Sequence, residues 1–233
     1  MQSRFPVAYI HKAGWPFIGI AAFVTFLLAF AGWGPFIVAA LLTAWCVYFF
    51  RDPERVIPTR GGLIVSPGDG RVVAVEMVTP DADLGLDGPR TRISIFLNVF
   101  DVHVNRMPAD GTVLEAAYRK GTFVNASLDK ASVDNERMAV MLELKGDHPY
   151  NGKTLGVVQI AGLIARRIVC NAREGDGFKA GERYGIIRFG SRMDVYLPPG
   201  LSALVAVGQY MIGGESVLAD CESTEPARQG EKR

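Results

Sequence analysis

The stretch IIRFGSRMDVYL, residues 186–197, carries the pattern that decides the fold of this 233-residue chain. Short apolar runs stand on both sides of Gly190, which predicts β-strands interrupted at a glycine. Ser191 follows directly, so a hydroxyl nucleophile stands beside the carbonyl of a residue that tolerates unusual backbone geometry. A Gly-Ser pair alone is more often a turn or a bulge than a site of chemistry. Its interpretation therefore depends on the rest of the chain.

The same pattern of short apolar runs extends over most of the chain after residue 55. Val- and Ile-rich runs alternate with Gly, Pro, Asp and Asn, and sustained helical periodicity is rare. We predict a mainly β (α+β) domain over residues 56–220, a twisted, sandwich-like sheet, and a polar, disordered tail over residues 221–233. Residues 128–135 fit a short helix or a loop. The predicted strands are residues 63–65, 71–78, 92–99, 112–117, 138–144, 155–160, 164–169, 186–189, 193–197 and 203–207.

The N-terminal part differs, because residues 13–50 include 38 consecutive positions without a charged side chain. One straight helix of that length would extend about 57 Å, against about 30 Å for the hydrocarbon core of a bilayer. The turn signal Gly32-Trp33-Gly34-Pro35 divides the run, so residues 1–55 are predicted to form a membrane-anchoring hairpin with helices over 15–30 and 36–50. Both a spanning and a re-entrant hairpin fit. A signal peptide and a hairpin buried in a soluble protein are the less favoured alternatives.

Charge and cysteine content limit the location, the partners and the cofactors that the chain is expected to have. Positive residues flank the apolar run on both sides, so the β domain is expected on the cytoplasmic face of the cell membrane. A net charge of +1 argues against nucleic acid as a partner. The three cysteines, Cys46, Cys170 and Cys221, have neither disulfide nor metal-site spacing, and no metal is expected. Association between copies of the chain is left open.

Three further places could carry chemistry. His103 follows an apolar strand, Asp69 lies in the turn Ser66–Gly70 between two predicted strands, and Asn135 opens the polar triplet before a buried strand. Taken singly, each has an ordinary structural explanation, such as a hydrogen-bonded histidine, a turn carboxylate or a loop residue. The other two histidines, His11 and His148, are expected at the membrane boundary and in a surface turn.

In combination, these segments resemble the phosphatidylserine decarboxylase proenzymes, specifically their short membrane-anchored branch. The resemblance extends from about Val56 to Ala219, and several separate motifs stand in the family's order. They are Ser66-Pro67-Gly68-Asp69-Gly70, Asp101-Val102-His103-Val104-Asn105-Arg106-Met107-Pro108, Asn135-Glu136-Arg137, Lys179-Ala180-Gly181-Glu182 and Phe189-Gly190-Ser191.

The resemblance implies that the chain cleaves itself between Gly190 and Ser191, giving a β chain of residues 1–190 and an α chain of residues 191–233. Ser191 would become a pyruvoyl group, the covalent cofactor, with no need for pyridoxal phosphate. That group would form a Schiff base with phosphatidylserine in the bilayer and release CO₂, giving phosphatidylethanolamine. The resemblance assigns Asp69 to self-cleavage, His103 to decarboxylation, and Arg106 and Asn135 to substrate binding.

One position departs from the family pattern. Many members have a second histidine, the base for self-cleavage, where this chain has Arg106, and a guanidinium cannot accept a proton. Either His103 serves both steps or Asp69 acts directly or through water, while Arg106 would bind the lipid phosphate or keep Asp69 ionised. A second candidate cleavage site, Gly213-Gly214-Glu215-Ser216, is predicted to be a hairpin turn between closing strands.

Two other functions are alternatives to this one. A non-catalytic, membrane-tethered β domain could bind lipid or present a surface to a partner. The same chemistry could also act on a related phospholipid with a serine-like head group. A lipoyl-type carrier is disfavoured, because no lysine stands at the tip of the C-terminal turn.

Overall fold

The computed structural model describes residues 8–121, 135–162, 167–188 and 190–231. Its helices are α1 (Trp15–Leu28) and α2 (Trp33–Phe49), with short 3₁₀ turns at Lys12–Gly14 and Ala82–Leu84. The strands are β1 (Ala8–Ile10), β2 (Arg51–Pro53), β3 (Leu63–Val65), β4 (Gly70–Val78), β5 (Arg90–Leu97), β6 (Val104–Arg106), β7 (Gly111–Arg119), β8 (Arg137–Leu144), β9 (Thr154–Ala161), β10 (Ile168–Cys170), β11 (Gly177–Phe178), β12 (Arg183–Ile187), β13 (Ser191–Tyr196), β14 (Tyr210–Met211) and β15 (Val217–Asp220).

Strand β13 lies inside an eight-stranded antiparallel sheet with the order β11-β7-β8-β9-β13-β5-β4-β14. Its first residue, Ser191, is opposite Leu97 of β5 and Ala161 of β9. A second sheet has the order β10-β12-β6, while β15 pairs with β3 and β1 pairs with β2. The β12–β13 connection, which contains Gly190, therefore crosses from the three-stranded sheet to the centre of the large one.

The large sheet buries side chains on both faces, as the two-residue period of a strand allows. In β8, Val140 and Leu142 belong to the main core, whereas Ala139 and Met141 pack in a second cluster with Leu84. β9 and β13 also contribute to both clusters. This architecture confirms the predicted mainly β class.

The two helices pack against each other as a hairpin. Thr25 Oγ1 and Thr43 Oγ1 are hydrogen bonded at 2.8 Å, and the Phe17 and Phe50 rings stack with centroids 5.6 Å apart at the base. Strands β1 and β2 pair across the two ends of the hairpin. Helix α2 begins at Trp33, before the predicted start at residue 36, because Pro35 is tolerated in the first helical turn.

The helices have 14 and 17 residues. Within the described ranges, no helix has the length and apolarity that a membrane crossing requires.

Two predictions about the C-terminal part are wrong. Residues 203–207 form no strand, since Leu204 N–H donates to Leu218 O at 2.8 Å without a continuing ladder. The turn Gly213–Ser216 exists, but its flanking strands pair with different partners, β14 with β4 and β15 with β3, so it is not a hairpin turn.

Other predictions lie partly or wholly outside the described residues. Of the predicted strand 164–169, the structure describes residues 167–169, and β10 begins at Ile168. The segment 128–134 and Phe189 also lie outside. The predicted disorder of residues 221–233 stays a prediction, and within that segment Arg228 donates to Leu204 O at 3.0 Å.

Candidate active site

The bond between Gly190 and Ser191 lies where the chain enters the large sheet. Gly190 has φ +68°, in the left-handed region that favours glycine, and among the described residues an added Cβ would meet only Val99 Cγ1, at 3.9 Å. Ser191 is fully buried, and its Oγ has no hydrogen-bond partner among the described residues. A buried hydroxyl without a partner is destabilising, which makes Ser191 a candidate functional residue.

His103 contacts the amide of this peptide segment. Its Nδ1 lies 3.0 Å from the carbonyl oxygen of Asp101, which can only accept a hydrogen bond, so Nδ1 carries the proton. Nε2 is then the acceptor for the Gly190 N–H, at 3.3 Å. Burial lowers the pKa of His103 to about 4. The imidazole is therefore neutral at pH 7, and the lone pair on Nε2 is directed at the Gly190 amide.

The carbonyl oxygen of Gly190, which belongs to the Gly190–Ser191 peptide bond, accepts a hydrogen bond from a backbone amide. Gly162 N–H donates to Gly190 O at 3.1 Å. The preceding residue, Ala161, is fixed from two directions, because its oxygen accepts from Asn135 Nδ2 at 2.7 Å and its N–H donates to Glu136 O at 2.9 Å. Asn135 is fully buried. It therefore positions the end of β9, next to the amide that contacts the Gly190 carbonyl.

Asp69 occupies the turn between β3 and β4, as predicted. Its Oδ1 accepts from Gly213 N–H at 2.8 Å, and its Oδ2 forms an ion pair with Arg55 at 2.7 Å. Burial raises the pKa of Asp69, although the Gly213 amide and Arg55 oppose that shift. The negative charge of Asp101 also raises it, so the two carboxylates are within electrostatic reach of each other.

Asp101 links His103 to the C-terminal part of the chain. Its Oδ1 accepts from the Tyr210 hydroxyl at 2.7 Å, and its Oδ2 accepts from Asn98 N–H at 2.8 Å. On its other side, the His103 ring lies against Phe49 at the end of α2, with ring centroids 4.3 Å apart. The hairpin and the Tyr210–Asp101 contact thus fix the imidazole together.

Arg106 contacts a different part of the molecule. Its guanidinium donates to Gly181 O and to Pro53 O, both at 2.9 Å, and lies 3.5 Å from Asp52. Burial lowers its pKa to about 10, so it stays charged at neutral pH. The cation that contacts Asp69 is Arg55, and Arg106 ties the β6 segment to β2.

The structure thus brings Gly190, Ser191 and His103 together. Asn135 is connected to them through Ala161, which precedes the Gly162 amide that donates to Gly190 O. Sequence reasoning missed Arg55 as the partner of Asp69, although Arg55 is one of the positive residues that follow the apolar run. It also missed Gly162 and Tyr210, and no motif in the sequence marks either. Within the described ranges, no cluster of three or more His, Cys, Asp or Glu side chains could hold a metal ion.

Comparisons with known proteins agree with this geometry. The family model described as phosphatidylserine decarboxylase matches residues 42–219. A phosphatidylserine decarboxylase proenzyme of Paramagnetospirillum magneticum is 55% identical over 96% of this chain and 92% of its own length. The proenzyme of Cereibacter sphaeroides is 55% identical over 100% of this chain and 98% of its own length. That of Granulibacter bethesdensis is 57% identical over 90% and 84%, respectively.

Proposed function

Because the chain belongs to the phosphatidylserine decarboxylase family, we propose that it cleaves itself between Gly190 and Ser191 and then converts phosphatidylserine to phosphatidylethanolamine. Membership makes the chain an enzyme, a decarboxylase made as a proenzyme. One observation carries the proposed cleavage site. The Gly190 amide contacts His103 Nε2, the Gly190 carbonyl contacts the Gly162 amide, and the adjacent Ser191 hydroxyl is buried without a described partner.

The first step is an attack of Ser191 Oγ on the carbonyl carbon of Gly190. The hydroxyl proton passes to the base, the C–N bond breaks, and the Ser191 nitrogen takes up a proton, which leaves an ester between the two residues. Negative charge develops on the Gly190 oxygen during the attack. The Gly162 N–H already points at that oxygen and stabilises the charge.

The ester is then broken by elimination. Loss of the Ser191 Cα proton expels the Gly190 carboxylate, which ends the β chain and leaves dehydroalanine at residue 191. Water hydrolyses the dehydroalanine to a ketone and releases ammonia, so that the α chain begins with a pyruvoyl group. That group supplies the ketone that condenses with the substrate amine and accepts electron density from the carbon that loses CO₂. The position of Ser191 fits the pyruvoyl group, because it is buried and its Oγ has no partner among the described residues.

The base for self-cleavage is proposed to be His103. Its neutral imidazole presents Nε2 to residue 190, where it accepts the Gly190 N–H, whereas the two Asp69 oxygens accept from Gly213 and Arg55. After cleavage, the Gly190 amide belongs to a free chain end, and Nε2 becomes available to deliver a proton to the carbon that has lost CO₂. Asp69 is the alternative base, since its raised pKa makes it a better proton acceptor than an ordinary carboxylate. The substrate roles first assigned to Arg106 and Asn135 stay predictions.

The hairpin is proposed to attach the enzyme to the cell membrane, with the β domain on the cytoplasmic face. Large apolar side chains are exposed along both helices. They include Ile20, Phe23, Leu27, Ile37, Leu41 and Leu42. Vesicle flotation tests this attachment with the double variant Phe23→Lys/Leu41→Lys, whose exposed positions leave the core intact. We expect the variant to remain at the bottom of the gradient, whereas flotation like the unsubstituted chain would contradict attachment through the hairpin.

Release of labelled CO₂ tests the proposed function. The full chain in mixed micelles with carboxyl-labelled phosphatidylserine should release labelled CO₂ and form phosphatidylethanolamine, and Ser191→Ala should do neither. His103→Gln should accumulate as the uncleaved chain. Cleavage of His103→Gln at the normal rate would transfer the role of base to Asp69, to be checked with Asp69→Asn. Binding of lipid without CO₂ release by a fully cleaved chain would contradict the proposed activity.

A further inference from the structure

Arg188, three residues before Ser191, and Arg167 have no carboxylate partner in the described part of the chain. Arg188 N–H donates to Arg167 O at 3.4 Å, which holds the two residues side by side. Among the described residues, neither guanidinium forms an ion pair with Asp or Glu. Burial lowers the pKa of Arg188, and the positive charge of Arg167 lowers it further. Like charges held together in this way are a cost that an anion would relieve.

Arg188 has donor capacity that no described residue uses. Its Nε is buried and has no hydrogen-bond partner in the described part of the chain. Arg51 provides a contrast at the same end of the hairpin, because it donates to Tyr48 O at 2.8 Å and to Phe100 O at 2.7 Å. A guanidinium presents five N–H donors in a fork that matches an oxyanion. Arg188 is thus poised for a ligand rather than committed to the fold.

The location of Arg188 connects the hairpin with the site of cleavage. Its guanidinium carbon lies 5.2 Å from the centroid of the Phe17 ring in α1, and Phe17 stacks on Phe50. Phe50 in turn packs on Phe49, whose ring touches His103. Arg188 therefore lies at the base of the hairpin, against the helices that are proposed to contact the membrane.

We propose that Arg188 and Arg167 bind the phosphodiester group of the substrate lipid. This inference rests on the proposed function. In phosphatidylserine a single methylene separates the phosphodiester oxygen from the carbon that holds the amine and carboxylate. A group that binds the phosphate must therefore lie within side-chain reach of residue 191, and Arg188 precedes it by three positions. Phosphate is also the anion for which paired arginines are best suited.

A second anion of similar chemistry arises inside the protein. Self-cleavage creates a carboxylate on Gly190, two residues after Arg188, and the same guanidinium could bind it. The two sources predict different kinetics. A phosphate-binding role affects the KM for lipid, whereas a role confined to the new chain end affects processing or kcat and leaves KM unchanged.

The test uses the full, processed chain and a short-chain, water-soluble phosphatidylserine. Arg167→Gln, at an exposed position, should raise KM by about tenfold or more, as expected for the loss of a charge-assisted hydrogen bond, with normal processing and little change in kcat. Arg188→Gln, measured on its processed fraction, should do the same, and Arg167→Lys should lose less. The control Arg173→Gln removes an exposed arginine whose turn contacts β7 through Val113.

An unchanged KM in both glutamine variants, with the unsubstituted enzyme active, would overturn the proposal. Altered processing or kcat with normal KM would assign the pair to the Gly190 carboxylate instead and would equally overturn it. If the unsubstituted chain itself failed to process or to release CO₂, the proposed function would fail, and that result is distinguishable from either outcome above.

Discussion

His103 Nε2 accepts a hydrogen bond from the Gly190 amide at 3.3 Å, so the buried imidazole contacts the residue whose carbonyl carbon is proposed to be attacked. The contact follows from topology. β6 begins at Val104, directly after His103, and pairs with β12, which ends just before Gly190. His103 O also accepts from Ile187 N–H at 3.3 Å. The uncleaved chain thus holds the imidazole that is proposed as the base against residue 190.

The first prediction concerns pH. Because burial lowers the pKa of His103 to about 4, the imidazole stays neutral, and able to accept a proton, down to mildly acidic pH. We expect the self-cleavage rate to be constant across neutral pH and to decrease only as pH falls through about 4. Chain produced by cell-free synthesis and chased at fixed pH would provide the rates. A midpoint near 6.5, the ordinary histidine value, would show that the ring is solvated during the reaction.

The second prediction concerns Asn135. Replacing it with Ala removes the hydrogen bond to Ala161 O and loosens the backbone that presents the Gly162 amide. Self-cleavage should slow by about tenfold to a hundredfold, since removing an oxyanion donor costs about a hundredfold to a thousandfold and misplacing it costs less. The measurement is the fraction of uncleaved chain against time, with Asn151→Ala, at an exposed turn position, as the control. Normal cleavage in Asn135→Ala would contradict a role of the Gly162 amide in self-cleavage.

The third prediction concerns Arg55. In Arg55→Gln, Asp69 loses the ion pair at 2.7 Å that opposes the effect of burial, so its pKa rises further. More of the carboxyl is then protonated at neutral pH. If the ionised form is needed, processing should slow and should recover as the pH is raised. Arg60→Gln breaks an exposed ion pair with Asp220 and should process normally, because such pairs contribute little. Equal rates in both variants at all pH values would contradict a role for charged Asp69.

The fourth prediction concerns packing beneath the site. A Cβ at Gly185 would lie 2.3 Å from Val169 O and 3.0 Å from Gln159 Nε2, so Gly185→Ala must separate β12 from β10. In the Ser191→Ala background, we expect a loss of about 1–3 kcal/mol in the free energy of unfolding. Gly177→Ala is the matched control, because no atom of the described ranges lies within 4 Å of its added Cβ. Comparable stability of the two variants by denaturant titration would show that the strands can separate without cost.

The sequence was sufficient for the helices and for the long strands of the large sheet. Val- and Ile-rich runs bounded by Gly, Pro, Asp and Asn located those strands, and the turn signal at Gly32–Pro35 located the break between the helices. It failed at residues 203–207, where an apolar run is buried without a ladder, because strand pairing depends on which backbone lies alongside. Apolar content alone cannot provide that information.

The candidate site shows the same limit. Motifs located Ser191, His103 and Asp69, because the chemistry of a side chain follows directly from its residue type. The donor to the Gly190 carbonyl is a backbone amide, that of Gly162, and any residue type could supply it. Arg106 illustrates the converse, since its charge suggested a role at Asp69, whereas the fold directs it to Gly181 and Pro53. Long-range pairing decides both outcomes.

The intact mass of the purified chain, beside that of Ser191→Ala, tests the central claim most directly. We expect two species from the unsubstituted protein, residues 1–190 and residues 191–233. The smaller should be lighter by one ammonia than a fragment that begins with serine, and blocked at its N-terminus by a ketone. Ser191→Ala should give one chain of 25.3 kDa. A single 25.3 kDa chain from the unsubstituted protein, or a fragment that begins at Ser216, would contradict cleavage at Gly190–Ser191.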